Sequence, residues 1–154
     1  MGQTTFSGPV RSERGFTAVG SNAVVAITAE TTLTYADHVG RIIEVNDADG
    51  AVTLPTITSD TIGATYRFFI GTDATDLDVK TDGTDKFVGS LAVAGTTTKA
   101  FAPAASNDVI SMNGTTTGGD RGSVFEVTAI ATAEYMVSGT LVGSGTVVTP
   151  FADS

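Results

Sequence analysis

The sequence predicts an all-β fold, a single antiparallel sandwich or barrel domain at residues 23–154, preceded by an extended N-terminal arm at residues 1–22. Composition is the first reason. Thr occurs 27 times and Val 17 times but Leu only five times, and β-branched side chains suit a pleated strand better than a helix. Short apolar runs alternate with turn-forming residues, which is typical of sandwiches and barrels. The hydrophobic content of 41% argues against a disordered chain.

The first half of the domain reads as a series of short strands. An Asp-Gly pair in the Asp47–Gly50 turn predicts a hairpin between the third and fourth of them. Pro55 ends the fourth, because proline cannot donate to a strand ladder. The aromatic run YRFFI predicts a central strand, and the one helical turn expected is near Thr56–Ile62. The predicted strands are Ala23–Ala29, Thr31–Tyr35, Arg41–Asn46, Ala51–Leu54, Tyr66–Ile70 and Leu77–Thr81.

The second half continues the same pattern. Alternation in the run SVFEVTAIA places Phe125, Val127 and Ala129 on one side of a strand and the even-numbered residues on the other. The predicted strands here are Phe87–Val93, Thr98–Phe101, Asp108–Met112, Ser123–Ala131, Glu134–Ser138 and Thr146–Thr149.

Charge and cysteine content exclude several classes of function. Eight basic residues oppose 17 acidic ones, for a formal net charge of −9. We therefore expect no nucleic acid and no anionic membrane as partner, since both are recognised through Lys and Arg. Without cysteine there is no disulfide, thiolate metal site or cysteine nucleophile. No apolar run resembles a secretory signal or reaches the roughly 18 residues of a membrane-spanning helix.

The arm differs from the domain in charge and in pattern. Two arginines and one glutamate give it a net charge of +1, whereas the remaining 6 basic and 16 acidic residues sum to −10. Its apolar residues follow no strand period. One interpretation is a disordered terminus. The other is an extended arm that lies on another subunit, with Phe6 and Phe16 as anchors.

Histidine and glutamate offer little support for catalysis. His38 is the only histidine, and its neighbour Asp37 would point to the opposite face of a strand. We predict that His38 is a turn or surface residue before Gly40. A glycan hydrolase needs two carboxylates in one cleft. The available glutamates look like exposed strand or turn positions; they are Glu30, Glu44, Glu126 and Glu134.

Two polar segments admit a ligand-binding and a structural interpretation. Asp73–Asp85 holds five aspartates, and Asp47 and Asp49 precede Gly50, which is reminiscent of a calcium loop but lacks its glutamate. We interpret both as turns, because Asp bonds its own backbone and Gly accepts positive φ. The glycine-rich run Asn113–Gly122 lacks the GK[ST] ending of a phosphate loop, so we predict a long hairpin loop.

The order of short motifs along the chain is distinctive. The opening TTFSGPVRSERGF follows the pattern F-x-G-P-V-x-S-x-x-G-F. The motifs after it are Leu33-Thr34, Gly40–Ile43, Gly50–Pro55, Gly63–Phe68, Asn107-Asp108, Asn113-Gly114, Gly118-Gly119, Ser138-Gly139, Gly145-Thr146 and Thr149–Phe151. Over nearly the whole chain, this series resembles short structural proteins of tailed bacteriophages, especially marine ones, in which such an arm precedes a β domain.

The resemblance implies a virion component, namely a head decoration (cement) protein on the outer surface of the capsid that occurs as a homotrimer. Its partners would be the major capsid protein and other copies of the chain. We expect no catalytic residue, cofactor, metal or small-molecule substrate. The predicted capsid-binding residues are Phe6, Pro9, Val10, Arg11, Arg14 and Phe16 in the arm, and Thr149, Pro150 and Phe151 near the C-terminus.

Two alternatives remain open. A tail, neck or fibre component, or a receptor-binding module, would also be a β-rich structural protein. A small glycan-acting enzyme is the alternative from a different class.

Overall fold

The computed structural model describes Gly20 and residues 23–154, so the rest of the predicted arm lies outside the described residues. The described part contains twelve strands and one short helix. In chain order these are β1 Val24–Ile27, β2 Thr31–Thr32, α1 Tyr35–His38, β3 Ile42–Val45, β4 Asp49–Thr53, β5 Thr65–Ile70, β6 Asp76–Lys80, β7 Lys86–Ala94, β8 Thr98–Phe101, β9 Val109–Met112, β10 Val124–Ala131, β11 Glu134–Val142 and β12 Phe151–Ala152.

The strands form two sheets packed against each other, which confirms the predicted all-β sandwich. Sheet A has seven strands in the order β1-β3-β5-β10-β11-β7-β8, and sheet B has five in the order β12-β9-β6-β4-β2. One cluster of buried apolar side chains, contributed by both sheets, fills the space between them. Of the two architectures expected, sandwich or barrel, the chain adopts the sandwich.

The first six strands alternate between the sheets. β1, β3 and β5 are parallel neighbours in sheet A, and β2, β4 and β6 are parallel neighbours in sheet B. The chain therefore winds around the core in successive turns. This corrects the expected antiparallel pairing and the hairpin at Asp47–Gly50, because β3 and β4 lie in different sheets. Gly50 does have positive φ, 101°, but it lies within β4 and pairs with Leu77 of β6.

Antiparallel pairing enters in the second half. β7–β8 and β10–β11 pair as antiparallel neighbours, and β10 also pairs antiparallel with β5, whereas β11 and β7 are parallel. The predicted hairpin at Asn113–Gly122 is instead a loop that crosses from β9 in sheet B to β10 in sheet A. The side-chain oxygen of Asn113 organises this loop by accepting hydrogen bonds of 2.9–3.1 Å from the N–H groups of Thr115, Thr116 and Thr117.

The predicted alternation of β10 is confirmed. Phe125, Val127 and Ala129 are buried, while Val124 on the other face is 49% exposed. The ring of Phe125 stacks on that of Phe68 in β5, with centroids 4.8 Å apart and planes inclined by 13°. Burying each such ring contributes about 1.5–3 kcal/mol, so this pair joins the two strands at the centre of sheet A.

The helix occurs where the sequence predicted none. Thr34 caps α1, because its hydroxyl oxygen accepts a 3.2 Å hydrogen bond from the Asp37 N–H. His38 is only 8% exposed, and its Nδ1 accepts a 3.0 Å hydrogen bond from the Thr34 N–H. The sequence predicts His38 to be a turn or surface residue before Gly40; it ends the single helical turn α1, and the surface alternative is wrong. The segment near Thr56–Ile62 contains hydrogen-bonded turns and no helix. No helix in the described residues is long and apolar enough to cross a membrane.

Candidate docking surface

The outer face of sheet A exposes apolar side chains. Strand alternation sends one side chain in two into the core and its neighbour outward. Val24, Ile42 and Val124 point outward and are 39%, 45% and 49% exposed. Cross-strand pairing makes Glu44, Phe69 and Val124 one row across the face. The face thus combines aliphatic, aromatic and acidic side chains on adjacent strands.

A groove runs across this face between β1 and β11. It has a volume of about 630 Å³. We call it the sheet groove. The residues that line it are Val24, Ile42, Glu44, Arg67, Phe68, Phe69, Val124, Phe125, Glu126, Ser138 and Gly139.

A glycine shapes one side of the sheet groove. Gly139 pairs with Phe125 across β10 and β11 and has a φ of +148°. A Cβ at Gly139 would lie 2.5 Å from the Phe125 Cα and 2.5 Å from the Val124 carbonyl oxygen. A side chain at this position would collide with β10, so glycine is what allows β10 and β11 to approach this closely beside the groove.

The charges of the sheet groove are mostly acidic. Arg67 donates from Nε to the Glu126 Oε2 at 2.9 Å; the Arg67 side chain is 62% exposed and the half-buried Glu126 side chain 40%. Such a surface pair contributes little stability, roughly 0–1 kcal/mol. Glu44 is half-buried on β3, and within the described residues no basic side chain lies at salt-bridge distance from it. A ligand that brought a cation close to Glu44 would find an unneutralised carboxylate.

Two of the four glutamates considered for catalysis meet in this groove. Glu30 and Glu134 are exposed, as expected, but Glu44 and Glu126 are half-buried and line the same cleft. Their strands are separated by β5, and their positions differ by two residues along the sheet, because Glu44 pairs with Phe69 and Glu126 with Arg67. With strand spacings of about 4.8 Å and a rise of about 3.4 Å per residue, their Cα atoms lie roughly 12 Å apart. The pair that a glycosidase would require therefore has a candidate in Glu44 and Glu126.

The predicted C-terminal contact residues divide between surface and core. Thr149 is exposed, but Pro150 is buried and Phe151 is only 6% exposed. The Phe151 ring packs on Phe87, with centroids 6.4 Å apart. Pro150 and Phe151 serve the fold, which corrects their assignment to the capsid contact and leaves Thr149 as the accessible member. The last strand is β12, and the strand predicted at Thr146–Thr149 is not formed.

The Asp-rich segments are turns only in part: Asp76 and Asp78 lie in β6 and Asp49 lies in β4, whereas Asp73 and Asp82 lie outside the strands and cap bends with their side chains. One oxygen of Asp82 accepts hydrogen bonds from the N–H groups of Thr84 and Asp85, at 2.9 and 3.3 Å. Asp73 accepts a 2.7 Å hydrogen bond from the Arg121 N–H. Among residues 23–154, no three His, Asp or Glu side chains come together as a possible metal site. Asp82 thus accepts from its own bend, whereas Asp73 joins its bend to a segment 48 residues later in the chain.

Sequence reasoning missed the sheet groove. The signal was present in the pairs Ile42-x-Glu44, Arg67-x-Phe69 and Val124-x-Glu126, each of which puts an apolar and a charged residue on the same outer face. What could not be read locally was that these three strands are neighbours, because β3 and β5 pair in parallel and β10 joins them from much later in the chain.

No protein-family model, no curated protein and no solved structure matches this chain.

Proposed function

We propose that the protein is a non-enzymatic structural component of a tailed-phage virion, a decoration protein on the outer surface of the capsid that bridges neighbouring capsid proteins. The observation that carries the proposal is the exposed apolar face of sheet A, where Val24, Ile42 and Val124 surround the sheet groove. Contiguous apolar surface of this kind marks a protein–protein contact more often than an isolated exposed residue does. The order of motifs along the chain, which resembles that of phage structural proteins, indicates that the partner is a capsid protein.

The arm provides the second part of the contact. Phe6 and Phe16 would each contribute about 1.5–3 kcal/mol if fully covered by the capsid protein. Arg11 and Arg14 would pair with carboxylates on that partner. Ordering the arm costs about 1–2 kcal/mol of backbone entropy per residue, so the rings and ion pairs need support from the sheet groove or from repeated lattice contacts. Pro9, Val10 and Thr149 would extend the same contact.

The mechanism is mechanical. A subunit that bridges two capsid proteins makes the contacts on both sides break together before the shell can open. We propose that the protein acts as a homotrimer, so that three sheet grooves and three arms bind at once and the weak contacts add through effective concentration. Sedimentation at micromolar concentration should show a species larger than the 15.6 kDa monomer. A monomer alone would contradict the trimer.

Binding to shells tests the proposal directly. Empty capsids of the encoding phage are mixed with the intact chain, with a chain lacking residues 1–20, and with Ile42→Ser and Ile130→Ser chains. Ile130 is an exposed apolar residue outside the sheet groove and is the matched control for Ile42 inside it. The intact and Ile130→Ser chains should cosediment with shells, whereas the truncated and Ile42→Ser chains should bind more weakly. If the truncated chain binds shells as tightly as the intact chain, the arm does not take part in the contact.

Copy number separates the head from the tail. A decoration protein is present in hundreds of copies per virion, whereas a tail, neck or fibre component or a receptor-binding module is present in few. Quantitative mass spectrometry of purified virions therefore decides between the two placements.

The shared position of Glu44 and Glu126 supports one further candidate, a glycan-acting enzyme. Hydrolysis of a host-surface glycan that is lost in both the Glu44→Gln and the Glu126→Gln chain would favour the enzyme. No hydrolysis by the intact chain would count against it.

A further inference from the structure

We propose that in the free protein the sheet groove is occupied by the chain's own N-terminal segment, with Phe16 on its apolar floor and Arg14 against Glu44. The inference goes beyond the proposed function, since it concerns the free chain and holds whether or not the protein binds a capsid. Three observations carry it: where the groove begins, how far the segment reaches, and how the charges match.

The first observation is continuity. Val24, the first residue of β1, lines the sheet groove at the edge of sheet A. The chain enters β1 at that edge, so the residues that precede Val24 join the domain directly beside the groove. A segment tethered there therefore has the groove as an immediate neighbour.

The second observation is reach. Phe16 precedes Val24 by eight residues. A random-coil chain of eight residues has a root-mean-square span of roughly 16 Å, from about 5–6 Å times the square root of the residue number, so eight residues suffice to reach the middle of the groove. From β1 to β11 the sheet groove crosses four strand spacings of about 4.8 Å, roughly 19 Å in all. A tether that matches the span in this way gives an effective concentration in the millimolar range, which makes even a weak contact populated.

The third observation is charge and shape. Glu44 is half-buried beside Phe69, and no basic side chain of the described residues lies at salt-bridge distance from it. Arg14 lies two residues before Phe16, so a segment that places the ring among Ile42 and Val124 brings a guanidinium within reach of that carboxylate. The other groove glutamate, Glu126, is already paired with Arg67. The net charge of residues 1–22 is +1 and that of residues 23–154 is −10, so the charges of the segment and the domain favour their contact.

Methyl NMR of the full-length chain tests the docking. Ile42 lies in the sheet groove and Ile130 is exposed outside it, so their Cδ1 methyls serve as reporter and reference. A phenyl ring above Ile42 displaces its methyl resonance, and Phe16→Ser should abolish that displacement while leaving Ile130 unmoved. Phe6→Ser, a change of the same kind farther along the arm, should leave both resonances in place. An Ile42 resonance that does not respond to Phe16→Ser would overturn the proposal.

The charge contact has its own readout. Trypsin cleaves after Arg14, and docking should slow that cleavage. Glu44→Gln should accelerate it severalfold, whereas Glu30→Gln, at an exposed position outside the groove, should not. Equal cleavage rates in the two variants would overturn the assignment of Arg14 to Glu44.

A mixing experiment establishes that the segment belongs to the same copy. Isotope-labelled Phe16→Ser chain is refolded together with excess unlabelled intact chain. Docking within one copy predicts that the labelled Ile42 methyl stays undisplaced, because its own segment lacks the ring. Restoration of the displacement would show that a second copy supplies the segment and would overturn docking within one chain. Neither result depends on capsid binding, so the failure of this inference and that of the proposed function are distinguishable.

Discussion

The hydroxyl of Tyr135 donates a 2.6 Å hydrogen bond to the carbonyl oxygen of Pro55, eighty residues earlier in the chain. Tyr135 belongs to β11 in sheet A, and Pro55 follows β4 of sheet B, so the bond joins the two sheets. The Tyr135 ring also lies edge-on to Tyr66, with centroids 6.5 Å apart. Burial raises the pKa of both phenols, that of Tyr66 to about 12, so both hydroxyls stay protonated at physiological pH and Tyr135 keeps the proton that it donates to Pro55.

Removing this donor should weaken the contact between the sheets. Tyr135→Phe keeps the ring and leaves the Pro55 carbonyl without its partner, which we expect to lower the free energy of unfolding by about 1–3 kcal/mol. Urea denaturation measures the change. Tyr35→Phe, at a position 54% exposed, is the matched control and should be neutral. A Tyr135→Phe effect no larger than the control would mean that the hydrogen bond contributes nothing.

Asp85 and Asp108 are both buried, yet their pKa values shift in opposite directions. Burial raises the pKa of Asp85; a hydrogen bond from the Ile57 N–H opposes this rise, and the Asp82 carboxylate adds to it. Burial also acts to raise the pKa of Asp108. Hydrogen bonds from the Lys86 ammonium, at 2.6 Å, and from the Ser154 N–H outweigh that effect, and the pKa of Asp108 is lowered.

The two carboxylates should therefore make opposite contributions to stability against pH. A lowered folded-state pKa means that Asp108 stabilises the fold above its unfolded pKa of about 3.9, and this contribution is lost as pH falls through the folded pKa. Asp108→Asn should cost about 1–3 kcal/mol at pH 7 and should flatten the loss of stability below about pH 4. Denaturation midpoints measured from pH 7 down to about pH 2 test both effects. An unchanged acid profile would contradict the assignment.

Asp85→Asn is the same substitution at the carboxylate whose pKa is raised, so its effect on stability should have the opposite pH dependence. A raised folded-state pKa means that stability is fully present below about pH 3.9 and declines as pH rises through the folded pKa. Asparagine removes that charge and keeps an acceptor for the Ile57 N–H. At pH 7 the variant should be at least as stable as the parent, and its stability should no longer fall between about pH 4 and pH 7. Destabilisation equal to that of Asp108→Asn would show that the Asp85 charge is favourable.

Gly139 should tolerate no side chain. Alanine there would place a Cβ 2.5 Å from backbone atoms of Phe125 and Val124, at a φ that side-chain-bearing residues rarely adopt. Overpacking and backbone strain together should cost about 3 kcal/mol. Gly122→Ala is the control, since Gly122 also has positive φ, 99°, but no atom within 4 Å of the added Cβ. It should lose only about 1 kcal/mol. Thermal unfolding compares the two variants, and equal losses would mean that crowding is relieved by a shift of the strands.

His38 should matter to stability more than a surface residue does. His38→Ala removes the acceptor of the Thr34 N–H next to the helix cap, and we expect a loss of about 1–2 kcal/mol. His38→Asn, which keeps an acceptor on a shorter side chain, should recover part of it. Chemical denaturation of the three chains measures the effect. A change within the roughly ±0.5 kcal/mol of surface substitutions would restore the surface interpretation.

Local pattern was enough to place most strands. The runs YRFFI and SVFEVTAIA became β5 and β10 with the expected faces, because alternation of apolar and polar residues is written in consecutive positions. It was not enough for pairing. The Asp47–Gly50 segment has the residues of a hairpin turn, but Gly50 with its positive φ is already part of β4 and pairs with Leu77 in sheet B. Nothing in these four residues distinguishes a hairpin from a crossing between the two sheets.

The sequence by itself therefore determined the class of fold, the strand positions and the acidic character of the domain, since composition and period are local properties. Only the tertiary structure decided that β3, β5 and β10 are neighbours, and hence that Glu44, Phe69 and Val124 form one row of the sheet groove. It likewise decided that Phe151 lies in the core and that His38 is buried. These outcomes depend on which distant segments exclude water from one another, and that is a property of the packed sandwich rather than of any single segment.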